Sequence, residues 1–277
     1  MGLFNKYFEE VKKNNNFSAF VSWRMNTFRR DLGNGFRIEA FKQLTDLAGR
    51  LGGDCFLSDG MFVWGRVLGW IRDEKFQDAC SKSKPSLNDS VDSSIYWRTH
   101  IACWASSIAC KTSGDFFEFG CHMGYTACAV RSFVDDKFKE QNDHRKYFWF
   151  DMFSEGEGGS DKHEMIDQSQ SEKSARERSK LFDDVFLVKG DIQETYIKNE
   201  VFSRRKIAFA HFDLNDHLVE MSVIEKATRN VEKGTVFLFD DFAMCPFENQ
   251  NKKYRKFFRG MGLEILELPT GQGIVIF

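Results

Sequence analysis

The stretch Asp115-Phe116-Phe117-Glu118-Phe119-Gly120-Cys121-His122-Met123-Gly124-Tyr125 has the residue types of a ligand corner. An apolar run carrying one acid enters a turn with two glycines, and a helical pattern over 125–133 follows at once. The spacing, Glu-x-Gly-x-x-x-Gly, lacks the Gly-x-Gly-x-x-Gly rhythm that brings backbone against a pyrophosphate, and it lacks the Gly-Lys-Ser/Thr ending of a P-loop. The remaining common use of such a corner is S-adenosylmethionine, a ligand with a carboxylate, an ammonium and a sulfonium but no phosphate. Glu118, Gly120, Met123, Gly124 and Tyr125 are the candidate contacts.

Acids recur after each later apolar run: Asp151-Met152-Phe153, Gly190-Asp191-Ile192, Asp213-Leu214-Asn215-Asp216-His217 and Asp240-Asp241-Phe242. Asp151 suits a ribose diol, which needs a bidentate acceptor; the competing use is a helix N-cap. Asp191 suits the adenine amino group with Ile192 against the ring, and again an N-cap competes. Asp240 and Asp241 are adjacent carboxylates that repel unless a cation joins them, and with Asp213 they offer hard oxygen donors of the kind Mg²⁺ takes. Their structural alternative is a turn cap and a salt bridge. His217 has the chemistry of a general base near neutral pH or of a solvent-facing first-turn residue. His211, alternating with Phe212 in an apolar run, reads as a satisfied core or interface histidine, and His122 and Cys121 diverge on a tight turn rather than form a metal pair.

The elements that must carry these residues alternate. Helical patterns cover 95–109, 125–133, 172–181, 193–198, 218–230 and 252–259, and short apolar strands cover 116–119, 147–150, 185–188, 207–212 and 236–239. Two closing strands, 263–268 and 274–277, flank a Pro269-Thr270-Gly271 turn. Apolar strands separated by helices predict a doubly wound, mostly parallel α/β sheet, and the closing pair predicts an antiparallel hairpin at one edge. In such sheets ligands bind outside the carboxyl ends of the strands, where all five acid-bearing turns fall. Residues 1–94 read as a separate, mainly helical extension, with Ile38, Phe41, Leu44, Leu47 and Leu51 at helical spacing and a Ser-, Lys- and Asp-rich linker over 81–94. The segment Ser154-Glu155-Gly156-Glu157-Gly158-Gly159-Ser160 is either a lid over the ligand end or a plain solvated loop.

The chain has 277 residues, enough to bury about 75% of its extended surface without a staple. Its 39 basic and 41 acidic residues, for a formal charge of -2, do not make the basic footprint of a nucleic-acid binder. Seven cysteines, odd in number and without a Cys-x-x-Cys pair, predict reduced core thiols and a cytoplasmic setting rather than a zinc ribbon or a disulfide framework. No segment predicts a membrane span or a signal peptide. Phe is the outlying residue at 30 copies.

With these motifs in place, the chain resembles the macrocin O-methyltransferase family, class I enzymes that methylate hydroxyls of sugars and natural products. The resemblance covers about 95–277 and rests on Gly114 to Gly120, Phe150-Asp151-Met152-Phe153, Val188-Lys189-Gly190-Asp191, His211-Phe212-Asp213-Leu214-Asn215, Phe239-Asp240-Asp241-Phe242 and Leu268 to Gly273. It implies a class I methyltransferase (Rossmann-like) seven-stranded sheet, S-adenosylmethionine as methyl donor, and Mg²⁺ or a similar divalent cation at Asp213, Asp240 and Asp241. Tyr96, Trp97, Arg98 and His100 stand where the family brings a helix over the cofactor, with Arg98 facing the methionyl carboxylate. The family carries Asp-x-Asp where this chain has Asp213-Leu214-Asn215, and an amide cannot take a proton. Asp213, Asn215 and His217 are therefore the candidate catalytic residues, His217 or a metal-bound oxygen being the base. The partner implied is a small-molecule or glycan hydroxyl acceptor, and residues 1–94 cap it or form a homodimer face. The rival readings are a non-catalytic cofactor-binding protein, for which Asn215 argues, and a nucleotide-dependent oxidoreductase, against which Glu118 and the missing third glycine count.

Overall fold

The computed structural model describes residues 19–21, 43, 46, 50, 55–59, 61–64, 66–84, 95–140, 145–153, 168–244 and 248–277. The expected lid over 154–160 lies outside them, as do residues 85–94 of the expected linker. The chain forms two compact units, residues 1–72 with 92–97, and residues 73–91 with 98–277. This division differs from a boundary after residue 94 by placing the helix over 74–82 with the second unit.

The first unit contains strands as well as helix. β1 (Ala19–Val21) runs parallel to β2 (Cys55–Ser58), and β2 pairs antiparallel with β3 (Met61–Trp64). Gln43, Asp46 and Arg50, within the predicted helical pattern, are helical. Phe56 is fully buried, its ring 5.7 Å from Trp70 and 5.0 Å from Trp97 in edge-on contacts.

The second unit is built on a seven-stranded sheet. Its strands are β4 (Asp115–Phe119), β5 (Tyr147–Asp151), β6 (Val185–Lys189), β7 (Ile207–Phe212), β8 (Val231–Phe239), β9 (Leu266–Glu267) and β10 (Gly273–Ile276), in the order β6-β5-β4-β7-β8-β10-β9. The first five are parallel, and β10 is antiparallel to both β8 and β9. The helices are α1 (Glu74–Lys82), α2 (Tyr96–Ala109), α3 (Tyr125–Phe133), α4 (Asp135–Glu140), α5 (Gln168–Ser179), α6 (Glu200–Ser203), α7 (His217–Ala227) and α8 (Glu248–Gly260). The predicted helix over 193–198 is a single wide turn, Gln193–Ile197. β8 starts five residues before the predicted strand because Val231-Glu232-Lys233-Gly234-Thr235 carries no apolar run, although it pairs with β7 from Ile207↔Val231. β9 is short: only Leu266 and Glu267 pair with β10, while Ile265 turns into the core.

The abundance of Phe has a structural use. Phe119, Phe212 and Phe239 end their strands, Phe150 stands one residue before the end of β5, and the four lie side by side in register across four parallel strands. Their rings meet at centroid distances of 5.1 to 5.4 Å, all fully buried. This floor lies directly beneath the ligand edge, and each ring contributes large apolar area plus favourable ring contacts. Side chains alternate across a strand, so Glu118 and His211, one residue earlier, lie on the opposite face of the sheet. Cys80, Cys103, Cys110, Cys121 and Cys128 are buried; burial pushes the Cys80 thiol up to about 11.

Candidate active site at the carboxyl edge of the sheet

Because β4 to β8 are parallel, their carboxyl ends and the turns that leave them share one edge, which carries the predicted acids at or after the ends of β5, β6, β7 and β8, while Glu118 stands within β4. Three of the four described non-glycine residues with positive φ stand in these turns: His122 at 48°, Phe153 at 46° and Asn215 at 56°. Backbone held in this sparsely populated region is a feature of ligand sites. Asn is among the side chains that tolerate it best, which gives Asn215 a conformational reason to be there.

The glycine corner is set by contact. Gly120 has φ 92°, and a Cβ there would fall 2.0 Å from the carbonyl oxygen of Asp213. Gly120 thus lets the β4 turn lie against the β7 turn. Gly124, at φ 75°, is the N-cap of α3 and brings no side chain to its first turn, where an anionic group is favoured. The Asp151 carboxylate accepts from the His122 amide at 2.6 Å and from the Phe153 amide at 3.1 Å, which ties the β5 turn to the β4 corner. Two amides use about half of the lone-pair positions of a carboxylate, so acceptor capacity for a diol remains. Met152 beside it is 52% exposed. Fully buried Arg178 braces the corner from below, donating to the carbonyls of Met123 at 2.8 Å and Ser83 at 2.7 Å. A glycine cradle, an uncapped helix start and a diol acceptor fit S-adenosylmethionine.

Other predicted cofactor residues have structural occupations. Asp191 is exposed and accepts from the Gln193 amide at 2.8 Å, the turn-capping use, while Ile192 is buried in the core. The Tyr125 hydroxyl lies against the Cys80 thiol, lowering the pull of burial on it. Tyr96 and Trp97 belong to the first unit, and His100 packs edge-on to Phe76 at 5.5 Å. Glu118 is 2% exposed; it accepts from the Tyr147 hydroxyl at 2.6 Å and meets His211 Nδ1 at 2.7 Å.

That pair opens a buried charge chain. Glu118 and His211 are register partners on β4 and β7, which is why their side chains meet. His211 Nε2 lies 3.5 Å from Asp240 Oδ1, and Asp240 Oδ2 accepts from Arg98. Gln272, fully buried on the turn before β10, donates to Asp240 Oδ1 at 2.9 Å and to the Arg98 carbonyl at 3.4 Å. Burial opposes charge on His211, but Glu118 and Asp240 outweigh it and hold the imidazole well above its ordinary value. Burial likewise opposes charge on Asp240, and Arg98, then His211 and Gln272, hold it well below the usual carboxylate range. Asp213 goes the other way: burial first, then the charges of Asp240 and Asp241, raise it well above its ordinary value.

The predicted Mg²⁺ triad does not fit this arrangement. Arg98, expected on a ligand carboxylate, instead sits on Asp240, with Nη1 4.0 Å from Asp241 Oδ1. Both Asp240 oxygens therefore serve protein donors. Among the described residues, no group of three or more His, Cys, Asp or Glu side chains is placed to hold a metal ion. The repulsion that suggested a metal is relieved by an arginine more than a hundred residues away in sequence, which local spacing does not reveal.

At the β7 exit, Asp216 caps α7 by accepting from the Leu218 and Val219 amides, Asn215 is exposed, and His217 opens the helix, partly exposed. Glu220, absent from the sequence-based candidates, is 3% exposed; it accepts from the Leu214 amide at 3.0 Å, the Tyr254 hydroxyl at 2.8 Å and Gln250 at 3.3 Å. Burial chiefly pushes it up to about 7. Its position, three, four and seven residues before the buried Val223, Ile224 and Ala227, was the available signal: an acid on the apolar face of a helix.

No protein-family model and no curated protein sequence matches the chain. Among solved structures, it is similar to the apo structure of CalS11, a TDP-rhamnose 3'-O-methyltransferase of calicheamicin biosynthesis, at TM-score 0.51 and 16% identity over 74% of this chain and 93% of that one. It is also similar to the O-methyltransferase NovP, at TM-score 0.50 and 16% identity over 65% of this chain and 78% of that one. Likeness at this identity shows architecture, and it agrees with the strand order: the chain has the Rossmann-like class I methyltransferase fold.

Proposed function

We propose that the chain transfers a methyl group from S-adenosylmethionine to a hydroxyl of a sugar or other natural-product acceptor. The observation that carries this reading is the meeting of the Gly120 corner with the Asp213 turn, which brings a phosphate-free ligand corner beside an acidic exit on one edge of the sheet. The likeness to CalS11, a TDP-rhamnose 3'-O-methyltransferase, supports a sugar or natural-product acceptor, and the likeness to the O-methyltransferase NovP supports transfer to oxygen. When bound, S-adenosylmethionine supplies an electrophilic methyl group. Asp151 and the corner amides would hold it, and Met152 and Asp191 would border its nucleoside.

The chain's own task is then alignment, and removal of the hydroxyl proton as the oxygen–methyl bond forms. With Asp216 engaged in capping α7, Asp213 and His217 are the candidates at the β7 exit to take that proton. Asn215 orients the acceptor through its amide. Residues 95–277 would form the methyltransferase domain, with residues 1–94 as a cap on the acceptor or a homodimer face. The reaction is tested by incubating the protein with S-adenosylmethionine and a panel of nucleotide sugars and glycosides, followed by mass spectrometry for a 14 Da gain. A second reading, a cofactor-binding protein without turnover, is favoured by Asn215; it predicts S-adenosylhomocysteine binding with no methylated product from any acceptor. Binding of NAD in place of S-adenosylhomocysteine would favour an oxidoreductase.

A further inference from the structure

We propose that the Arg98 guanidinium is the resident cation of the strand-end carboxylates, and that the pair Asp240-Asp241 works without a divalent metal. Arg98 is 5% exposed, and its Nη1 lies between the two carboxylates, bonded to Asp240 and 4.0 Å from Asp241. A bridging ion needs lone pairs on these same oxygens, at about 2.1 Å and in near-octahedral order. Asp240 Oδ2 accepts from Arg98, and Oδ1 accepts from Gln272 at 2.9 Å with His211 Nε2 at 3.5 Å, so three protein donors already crowd the carboxylate beside which an ion would have to stand.

The arrangement is held from outside the pair. Gln272 bonds both to Asp240 and to the Arg98 carbonyl, and its own Oε1 accepts from Thr270 at 3.1 Å. The turn before β10 therefore clamps the helix that supplies the cation to the strand that supplies the anion. Arginine keeps its charge at any working pH, and withdrawing it would strand a buried carboxylate, so a metal would have to displace a paired and clamped group. Asp240 thus faces His211 on one oxygen and Arg98 on the other.

The inference takes its catalytic meaning from the methyl-transfer reading, but its test does not. Mn²⁺ is titrated into the full-length protein and followed by electron paramagnetic resonance, with no cofactor or acceptor present. Wild-type protein is expected to bind Mn²⁺ no more tightly than about 1 mM. Arg98→Gln, which uncovers Asp240 Oδ2, is expected to gain about tenfold or more in affinity, and Arg98→Gln with Asp240→Asn to lose that gain. One Mn²⁺ per wild-type chain bound in the micromolar range, and lost in Asp240→Asn, would overturn the proposal. So would an Arg98→Gln protein with native circular dichroism and no gain. Should Arg98→Gln fail to fold, the wild-type titration decides alone. A metal-free result in a protein that makes no methylated product would leave this inference standing and remove the reaction.

Discussion

The two halves of the carboxyl edge use the same residue type for different work. On the β4–β5–β6 side, Asp191 accepts from a backbone amide of the turn it begins, and Asp151 from one in its own turn and one in the β4 turn, so their carboxylates shape loops. On the β7–β8 side, Asp240 accepts from Arg98 and Gln272, and Asp213 faces the neighbouring carboxylates, so charge meets charge. The difference follows from surroundings. Asp191 is exposed and Asp151 partly so, where water screens them and an amide suffices. Asp240 is buried, where an unpaired charge is prohibitive, and a full cation has been recruited to it. An acid at a strand end thus signals a turn on one half of this edge and an electrostatic centre on the other.

The largest effect should come from breaking the charged half. Asp240→Leu removes the partner of Arg98 and is expected to cost about 3–5 kcal/mol in urea unfolding, whereas Asp240→Leu with Arg98→Met should recover most of it. If the double variant is no more stable than the single one, the pair is not the unit described here. The junction of the halves comes next. Gly120→Ala places a methyl group on the Asp213 carbonyl and forces an alanine to φ 92°, which is expected to cost about 2–4 kcal/mol and to weaken S-adenosylhomocysteine binding. An unchanged melting temperature would contradict the close approach.

Glu220 supports the charged half from behind. Its carboxyl has an ordinary value of 4.5 and stands at about 7 in the fold. Below pH 4.5 it is protonated in both states; between 4.5 and 7 the folded protein keeps a proton that the unfolded chain releases. Its contribution is therefore fully present at the acid end and is lost as pH rises to about 7, an effect of a few kcal/mol at most. Glu220→Gln should flatten that part of the stability curve relative to wild type, and an unchanged slope would refute the assignment. On the loop-shaping half, Asp151→Ala should cost about 1–3 kcal/mol and loosen the corner, because the His122 and Phe153 amides lose their acceptor. Asp191→Ala should cost only about 1 kcal/mol, as for a lost cap.

The sheet was legible because its strands are short apolar runs bounded by Gly and Asp, and the parallel order follows from the intervening helices. What escaped were features without a local period. The first half of β8 is polar, and β1 to β3 lie in a part whose spacing suggested helix. The site was half legible. Gly120, Gly124, Asp151, Asp213 and Asp240 are named by their place after a strand, since topology alone brings strand ends together. Their partners are not: Arg98 and Gln272 reach Asp240 from 142 and 32 residues away, and Tyr147 reaches Glu118 from 29. Only register and tertiary packing create those contacts, which place Glu118 and Asp240 in one paired network.

Methyl transfer requires that the Gly120 corner hold the S-adenosyl group. Isothermal titration calorimetry of the full-length protein with S-adenosylhomocysteine should show one site per chain, weakened by Gly120→Ala and by Asp151→Ala, and no heat with NAD. Saturating ligand with no heat, or NAD binding at that corner instead, would contradict it.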